Sequence, residues 1–308
     1  MSKGISYFFY LQQKIFSRNS LNSCFVIKLN RGETMTNKKS IEKKWLNASI
    51  KDNFIFGKTM ELYPDLCCKL LELILNIKIK SINYPEREKT IEARTDSKGI
   101  RLDVFVEDKE NNRSFDVEMQ ISNSDNLAKR MRYYQGLIDI DKLKRGQHYS
   151  SLGESFIIFI CPFDRFKQGR HIYSFHERCD QDTNLKLNDG ATKIFLSTKG
   201  TLDDVSPDTK AFLDYVDSGI IKGNFVKNLD SAVNAVKNNE KVRHDFMTFQ
   251  MYLLEHEMEA ETRGKEEVAV KLIRRGRPLQ EIHEDTGLSI QHLEQLARNN
   301  EQKTLMQE

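Results

Sequence analysis

Two acidic residues, Asp103 and Glu118, fall in neighbouring segments in which apolar and polar residues alternate. A β-strand turns successive side chains to opposite faces, so the alternation predicts two strands, Ile100–Val106 and Ser114–Ile121. The polar residues between them are typical of a hairpin loop, which would make the strands antiparallel neighbours. Gln120 follows Glu118 by two residues and is therefore expected on the same face. The pattern gathers two carboxyl groups and a carboxamide, which together could hold a metal ion and a water molecule.

The register of this hairpin decides how close the two carboxyl groups lie. If residues 103 and 118 pair, the loop centres on Glu110-Asn111; if Asn111-Asn112 form the turn, Asp103 lies diagonal to Glu118. Either loop puts both acids on one face, roughly 5–8 Å apart, whereas an odd-length loop or a bulge would separate them. Two carboxylates so close repel each other, and Mg²⁺ relieves the repulsion while binding one or two carboxylates, water and phosphate oxygens. The sequence therefore predicts that Asp103 and Glu118 bind Mg²⁺, with Mn²⁺ as the alternative ion.

The acid pair has two other interpretations. Acidic residues commonly occupy the solvent-exposed face of an antiparallel strand pair, where they need no chemical role. A close carboxylate pair is also the catalytic arrangement of glycosidases. Sugar sites usually bring aromatic platforms, however, and the single tryptophan, Trp45, falls in a polar segment, residues 36–47, that predicts a loose lead-in to the folded domain.

A helix is predicted directly after the hairpin, from about Ser124 to Leu143. Apolar residues recur there at helical spacing, and a serine or an aspartate at 124–125 can cap the first turn. The helix carries Lys129, Arg130 and Arg132, whose positive charge could meet the phosphates of DNA approaching the acids. A solvated helix face would explain the same three cations.

The remaining periodicities predict an α/β core followed by helices. A helix is expected over Leu66–Ile77, and short strands at Phe156–Cys161, His171–Phe175 and Thr192–Leu196. Only helical patterns follow beyond about residue 210. Near the end, Gly287 separates two helical segments in the manner of a helix–turn–helix. The second segment carries Glu294 and a single basic residue, Arg298, which favours a packing or oligomerisation module over a DNA-reading one.

Several of these motifs, in this order, resemble the PD-(D/E)XK nuclease superfamily. More narrowly, they resemble its Rpn-type recombination-promoting nucleases, which are often classed as transposases. Asp103 and the tripeptide Glu118-Met119-Gln120 match a D…ExQ signature, in which glutamine stands where most of the superfamily has lysine. The segment Asp52–Gly57 resembles the entry to the first core helix, and Gly146–Tyr149 resembles the turn before the next strand. The resemblance covers roughly residues 48–300.

The resemblance implies a restriction-endonuclease-like fold, with a mixed central sheet flanked by helices and a helical C-terminal tail. It also implies a metal-dependent DNA endonuclease associated with recombination or transposition. Asp103, Glu118 and Gln120 would be catalytic, with a neutral amide that orients the attacking water while the metal supplies the acidity. The alternative is a catalytically inactive DNA-binding or assembly protein of a mobile element. Asp52 is either an additional acid of the site or a helix N-cap.

Composition limits the other classes of function. The 308 residues carry 48 Lys and Arg against 45 Asp and Glu, a net charge of +3, which excludes a polybasic DNA coat protein but not a local basic groove. Five cysteines, scattered except for the adjacent Cys67 and Cys68 and without a CxxC pair, favour reduced thiols over disulfides or a structural zinc site. No apolar run reaches the roughly 18 residues that a membrane span requires. We therefore expect a bacterial cytoplasmic protein without a membrane partner, with DNA as partner and homo-oligomerisation open.

Three domains are predicted: an N-terminal extension (1–35), a nuclease domain (36–240) and a helical C-terminal region (241–308). Met35 is preceded by Arg31-Gly32-Glu33, which purine-rich codons resembling a ribosome-binding site can encode. The extension is therefore expected to reflect a misassigned start, with Met35 as the first residue of the native protein. N-terminal sequencing that finds Met1 would contradict this.

Overall fold

The computed structural model describes residues 31–80, 82, 83, 85–91 and 99–305. Its centre is a six-stranded mixed sheet. The strands are β1 Glu86–Ile91, β2 Ile100–Asp108, β3 Arg113–Met119, β4 Glu154–Cys161, β5 Ile172–Phe175 and β6 Ala191–Ser197. Their order is β1-β2-β3-β4-β6-β5, with β3, β4 and β6 parallel and the other neighbours antiparallel.

Helices precede, flank and follow this sheet. They are α1 Arg31–Asn47, α2 Asn53–Leu62, α3 Pro64–Leu75, α4 Leu127–Lys142, α5 Pro207–Ser218, α6 Gly223–Lys237, α7 Glu240–Arg274, α8 Leu279–Thr286 and α9 Ile290–Leu305. None of the helices in the described ranges is long and apolar enough to cross a membrane. The architecture confirms the predicted α/β core with a mixed sheet and a helical C-terminal tail.

Both faces of the sheet are covered. Ile157 and Phe159 of β4 share a core cluster with Leu127 and Met131 of α4. Ile158, which strand alternation turns to the other face, is equally buried. Parallel strands need this double cover, because their connections run across both faces of the sheet. As a result, α4 lies over the face of β3 that carries the acids.

Two local expectations from the sequence are wrong. The segment 36–47 is helical rather than loose, and Trp45 is buried against Phe246 of α7, with ring centroids 5.1 Å apart. One aromatic side chain thus fixes a segment that its polar neighbours made look mobile. Helix α4 starts at Leu127 with Asn126 as its N-cap residue, not Ser124 or Asp125. Ser124 instead donates its hydroxyl to the Asn126 side chain.

The C-terminal helices form a small core of their own. Ala269 of α7, Ile282 of α8 and Leu293 of α9 are buried against one another. Gly287 adopts φ 71° between α8 and α9, a left-handed conformation that favours glycine. This cluster fixes α8 and α9 to the end of α7. The predicted N-terminal extension falls mainly on residues 1–30, which lie outside the described residues, so its start site stays a prediction.

Candidate active site

The β2–β3 hairpin has one of the two predicted registers. The strands pair from Val104 opposite Val117 to Asp108 opposite Arg113, in line with the pairing of residues 103 and 118. The two-residue turn at Asn111-Asn112 is therefore wrong, because four residues, 109–112, link the strands. The side chain of Asp108 accepts hydrogen bonds from the backbone and side-chain nitrogens of Asn111, at 3.2 and 2.7 Å. These bonds hold the loop closed.

The strands separate just beyond Val104 and Val117, and there the two acids bind the backbone of each other's strand. The backbone N–H of Asp103 donates to Oε1 of Glu118 at 2.8 Å. The backbone N–H of Met119 donates to Oδ2 of Asp103 at 3.3 Å. The structure thus brings Asp103 and Glu118 together at a fork between the strands, and each carboxylate is fixed by a backbone donor.

Gln120 and Arg130 meet at the same fork. Gln120 follows β3, and its carboxamide donates to the backbone oxygen of Ser122 at 2.5 Å while its Oε1 accepts from Nη1 of Arg130 at 2.7 Å. Nη2 of Arg130 lies 3.5 Å from Oε2 of Glu118. The sequence placed Arg130 among the DNA-binding cations, whereas the structure places it inside the cluster of acid and amide side chains.

Tyr134 completes the surroundings of Arg130. It lies one helical turn further along α4, and its hydroxyl accepts a hydrogen bond from Nη2 of Arg130 at 3.0 Å. The guanidinium carbon also lies 5.3 Å from the ring centroids of both Tyr134 and Phe159. Burial, and then the negative charge of Glu118, raise the pKa of Tyr134 to about 12, so its hydroxyl stays protonated. The four-residue spacing of Arg130 and Tyr134 was the sequence signal for this pair.

Asp116 is a third acid of the site that the sequence analysis missed. It is fully buried, and neither carboxyl oxygen has a hydrogen-bond donor within the described part of the chain. Burial first, then the charges of Glu118 and Asp103, raise its pKa well above the usual value, and its carboxyl group lies against that of Glu118. The signal was available, because Asp116 precedes Glu118 by two residues and so shares its face.

The same surroundings make it unfavourable for Glu118 to lose its proton. Burial, followed by the charge of Asp103, raises its pKa from an ordinary value of 4.5 to about 8. The backbone N–H of Asp103 and the guanidinium of Arg130 act in the opposite direction but do not cancel the effect. The donors of the site therefore do not offset the cost of ionising its acids.

Asp52 is the N-cap of α2, one of its two predicted roles. Its Oδ1 accepts hydrogen bonds from the backbone N–H groups of Phe54 and Ile55 at 2.9 and 3.3 Å, which satisfies free donors of the first turn. Burial raises the pKa of Asp52 despite these bonds. Capping accounts for this aspartate without a role in chemistry.

The sequence model of one protein family, described as PD-(D/E)XK nuclease family transposase, matches residues 53–206, half of the chain. The chain belongs to this family. The matched segment contains all six strands and the fork, and it confirms the predicted superfamily and the nuclease type of function. The narrower Rpn-type assignment stays a prediction. No curated protein and no solved structure matches the chain.

The acids of this PD-(D/E)XK protein suit a divalent cation. In the described ranges no three His, Cys, Asp or Glu side chains stand in a ready-made metal-binding arrangement. Asp103 and Glu118 are the pair that the fork offers, and Mg²⁺ typically binds one or two carboxylates and completes its shell with water and phosphate oxygens. Asp116, whose pKa is raised, would add a buried negative charge on losing its proton, and in the described ranges it has no donor of its own. A bound cation would offset this excess charge.

A groove of about 900 Å³ runs along α4 beside the fork. Lys129, Arg130 and Arg132, the three predicted DNA-binding residues, line it together with Arg101 of β2 and Tyr133. Lys129 and Arg132 are exposed, whereas the side chain of Arg130 is only 33% exposed. The PD-(D/E)XK core therefore has a groove lined by several cations, and one of them, Arg130, also contacts Glu118 and Gln120 of the fork.

Replacing Asp116 by asparagine is expected to stabilise the metal-free protein at pH 8, by roughly 1–3 kcal/mol. An acid whose pKa is higher in the folded protein than in the unfolded chain keeps its proton only when folded. Stability is therefore lost as pH rises above 3.8, the ordinary pKa of an aspartate, towards the raised pKa of Asp116. Asparagine removes one of the repelling charges, so the gain should shrink towards pH 5.

Urea unfolding in EDTA at pH 5, 6.5 and 8 would measure this gain. Asp125→Asn is the matched control, since it removes an exposed acid just before α4. We expect no pH trend for this control. A gain from Asp116→Asn that is equal at all three pH values would contradict the prediction.

Proposed function

We propose that the protein is a metal-dependent DNA endonuclease that hydrolyses phosphodiester bonds during recombination or transposition. The family supports a nuclease type of function. The observation that carries the finer proposal is the fork, where Asp103 and Glu118 bind each other's strands and Arg130 connects them to a groove lined by cations. The alternative, acids on a solvent-exposed face of the hairpin, does not fit this arrangement, because α4 covers the face and places Arg130 beside Glu118.

Each residue has a role in this proposal. Asp103 and Glu118 would hold Mg²⁺ or Mn²⁺, and Lys129 and Arg132 would hold the phosphates of the approaching DNA. When bound, the ion supplies Lewis acidity, which polarises a phosphoryl oxygen and makes water a better nucleophile. Gln120 would orient the attacking water through its second amide hydrogen, because the first donates to Ser122.

Supercoiled plasmid tests the proposal. We expect the purified full-length chain to nick or linearise it in Mg²⁺ or Mn²⁺ and to leave it intact in EDTA. DNA binding measured in parallel should weaken as salt rises, since Lys and Arg contacts to phosphate release counterions. Salt-sensitive binding without cleavage in either metal would instead favour the inactive DNA-binding or assembly protein of a mobile element.

A further inference from the structure

Arg130 has a different relation to the site from the other cations of α4. Its guanidinium contacts Gln120 at 2.7 Å, Tyr134 at 3.0 Å and Glu118 at 3.5 Å, so it bridges both functional residues of β3 and its extension. We infer that Arg130 is a positioning residue of the nuclease site, which aligns Gln120 with Glu118 and supplies the positive charge that neutral Gln120 lacks. The inference rests on the proposed function and deepens it.

Charge is the first reason. Attack on a phosphodiester builds negative charge on the phosphoryl oxygens, and fixed cations in a water-poor site stabilise that charge more than they would in water. Three carboxyl groups, those of Asp103, Asp116 and Glu118, gather at the fork, and Gln120 carries no charge. Arg130 contacts Glu118 of this group directly, so its charge stands where it can act on both the acids and the reacting phosphate.

Rigidity is the second reason. Tyr134 holds Nη2, and the rings of Tyr134 and Phe159 lie 5.3 Å from the guanidinium carbon. Met131, the next residue along α4, is buried in the core between α4 and the sheet. A guanidinium held on several sides is preorganised, whereas the exposed Lys129 and Arg132 must be ordered by DNA itself. Arg130 should therefore influence the chemical step, and Lys129 and Arg132 the affinity for DNA.

The hydrogen bond between Arg130 and Gln120 suggests that the positive charge could be moved from residue 130 to residue 120. A lysine at position 120 would extend its ammonium towards the place that the guanidinium occupies, because Oε1 of Gln120 already reaches Nη1 of Arg130. If cleavage needs a positive charge at this place, and not an arginine on α4 in particular, a lysine at position 120 should replace the function of Arg130. A purely structural arginine could not be replaced in this way.

The experiment compares wild type, Arg130→Met, Gln120→Lys and the double variant Arg130→Met/Gln120→Lys. We expect Arg130→Met to lower kcat for plasmid cleavage roughly 100-fold with less than about a threefold change in DNA affinity. The double variant should recover at least about tenfold of that loss. Arg132→Met, two positions along α4, should instead weaken DNA binding. Arg113→Met, which removes a surface ion pair with Glu154 at the far end of β3, should match wild type.

Two results would overturn the inference. An unchanged kcat with weakened DNA binding in Arg130→Met would make Arg130 an ordinary phosphate contact, and a lowered kcat without recovery in the double variant would make it structural. If Arg130→Met does not fold, Arg130→Gln, which keeps hydrogen bonds without the charge, takes its place with the same expected values. Absence of cleavage by the wild type would reject the proposed function itself, a distinct outcome.

Discussion

Changing Asp103 to asparagine or Glu118 to glutamine should lower the rate of plasmid cleavage by roughly a thousandfold or more. Each change keeps the shape of the side chain and an oxygen that can accept the backbone hydrogen bond across the fork. Each removes one of the two charges that would hold the ion. The loss should therefore appear in metal binding and in the chemical step, not in the fold.

Single-turnover cleavage in Mg²⁺ and binding of Mn²⁺ followed by electron paramagnetic resonance would measure the two effects. Glu107→Gln provides the matched control, because this acid lies on β2 as well but pairs with Lys142 away from the fork. It should cleave and bind Mn²⁺ like the wild type. Equal cleavage by wild type, Asp103→Asn and Glu118→Gln would exclude these acids from catalysis.

Gly153→Ala should destabilise the fold by about 2–4 kcal/mol, the largest stability effect we expect from a single methyl group. A Cβ atom at position 153 would stand 1.7 Å from the backbone oxygen of Asn112 and 2.6 Å from its Cγ. Asn112 closes the hairpin loop with φ 50°, so neither the loop nor the start of β4 can retreat without disturbing strand pairing. The same shift would pull on the fork at the other end of β3.

Gly136→Ala supplies the opposite control. Gly136 lies inside α4, and an added Cβ would meet nothing within 4 Å. The free energy of unfolding should therefore rise by roughly 0.5–1 kcal/mol, because glycine loses more backbone entropy in a helix than alanine does. Denaturant unfolding of both variants would test the pair. A Gly153→Ala protein as stable as wild type would show that the loop is not held against β4.

The sequence predicted the proximity of the two acids better than it predicted their surroundings. Strand alternation alone was enough to bring Asp103 and Glu118 together, because a period of two fixes the face of each residue once the register is known. It could not tell that α4 would cover that face. Glu118 is thus buried beside Asp116 and Asp103 is half-buried, and the burial of Glu118 is the main cause of its raised pKa.

Strand β1 shows a second limit. Its residues, Glu86 to Ile91, are mostly charged and show no apolar alternation, so periodicity did not predict a strand here. An edge strand pairs on one side only, and charged side chains are common there. Here Arg87 and Lys89 place their cations 4.0 Å from the ring centroids of Phe54 and Phe105, respectively. The charged residues therefore cover core aromatics, a contact that no local periodicity encodes.

Helix α7 acts as a stiff spacer between two cores. Phe246 is packed against Trp45 and Phe54 near its start, and Ala269 belongs to the small C-terminal core. The 23 residues that separate these anchors span roughly 35 Å at 1.5 Å per residue. The C-terminal core can change its distance from the sheet only if the spacer bends or breaks. Gly264, which lacks a side chain to support the helix, is where we expect it to yield first.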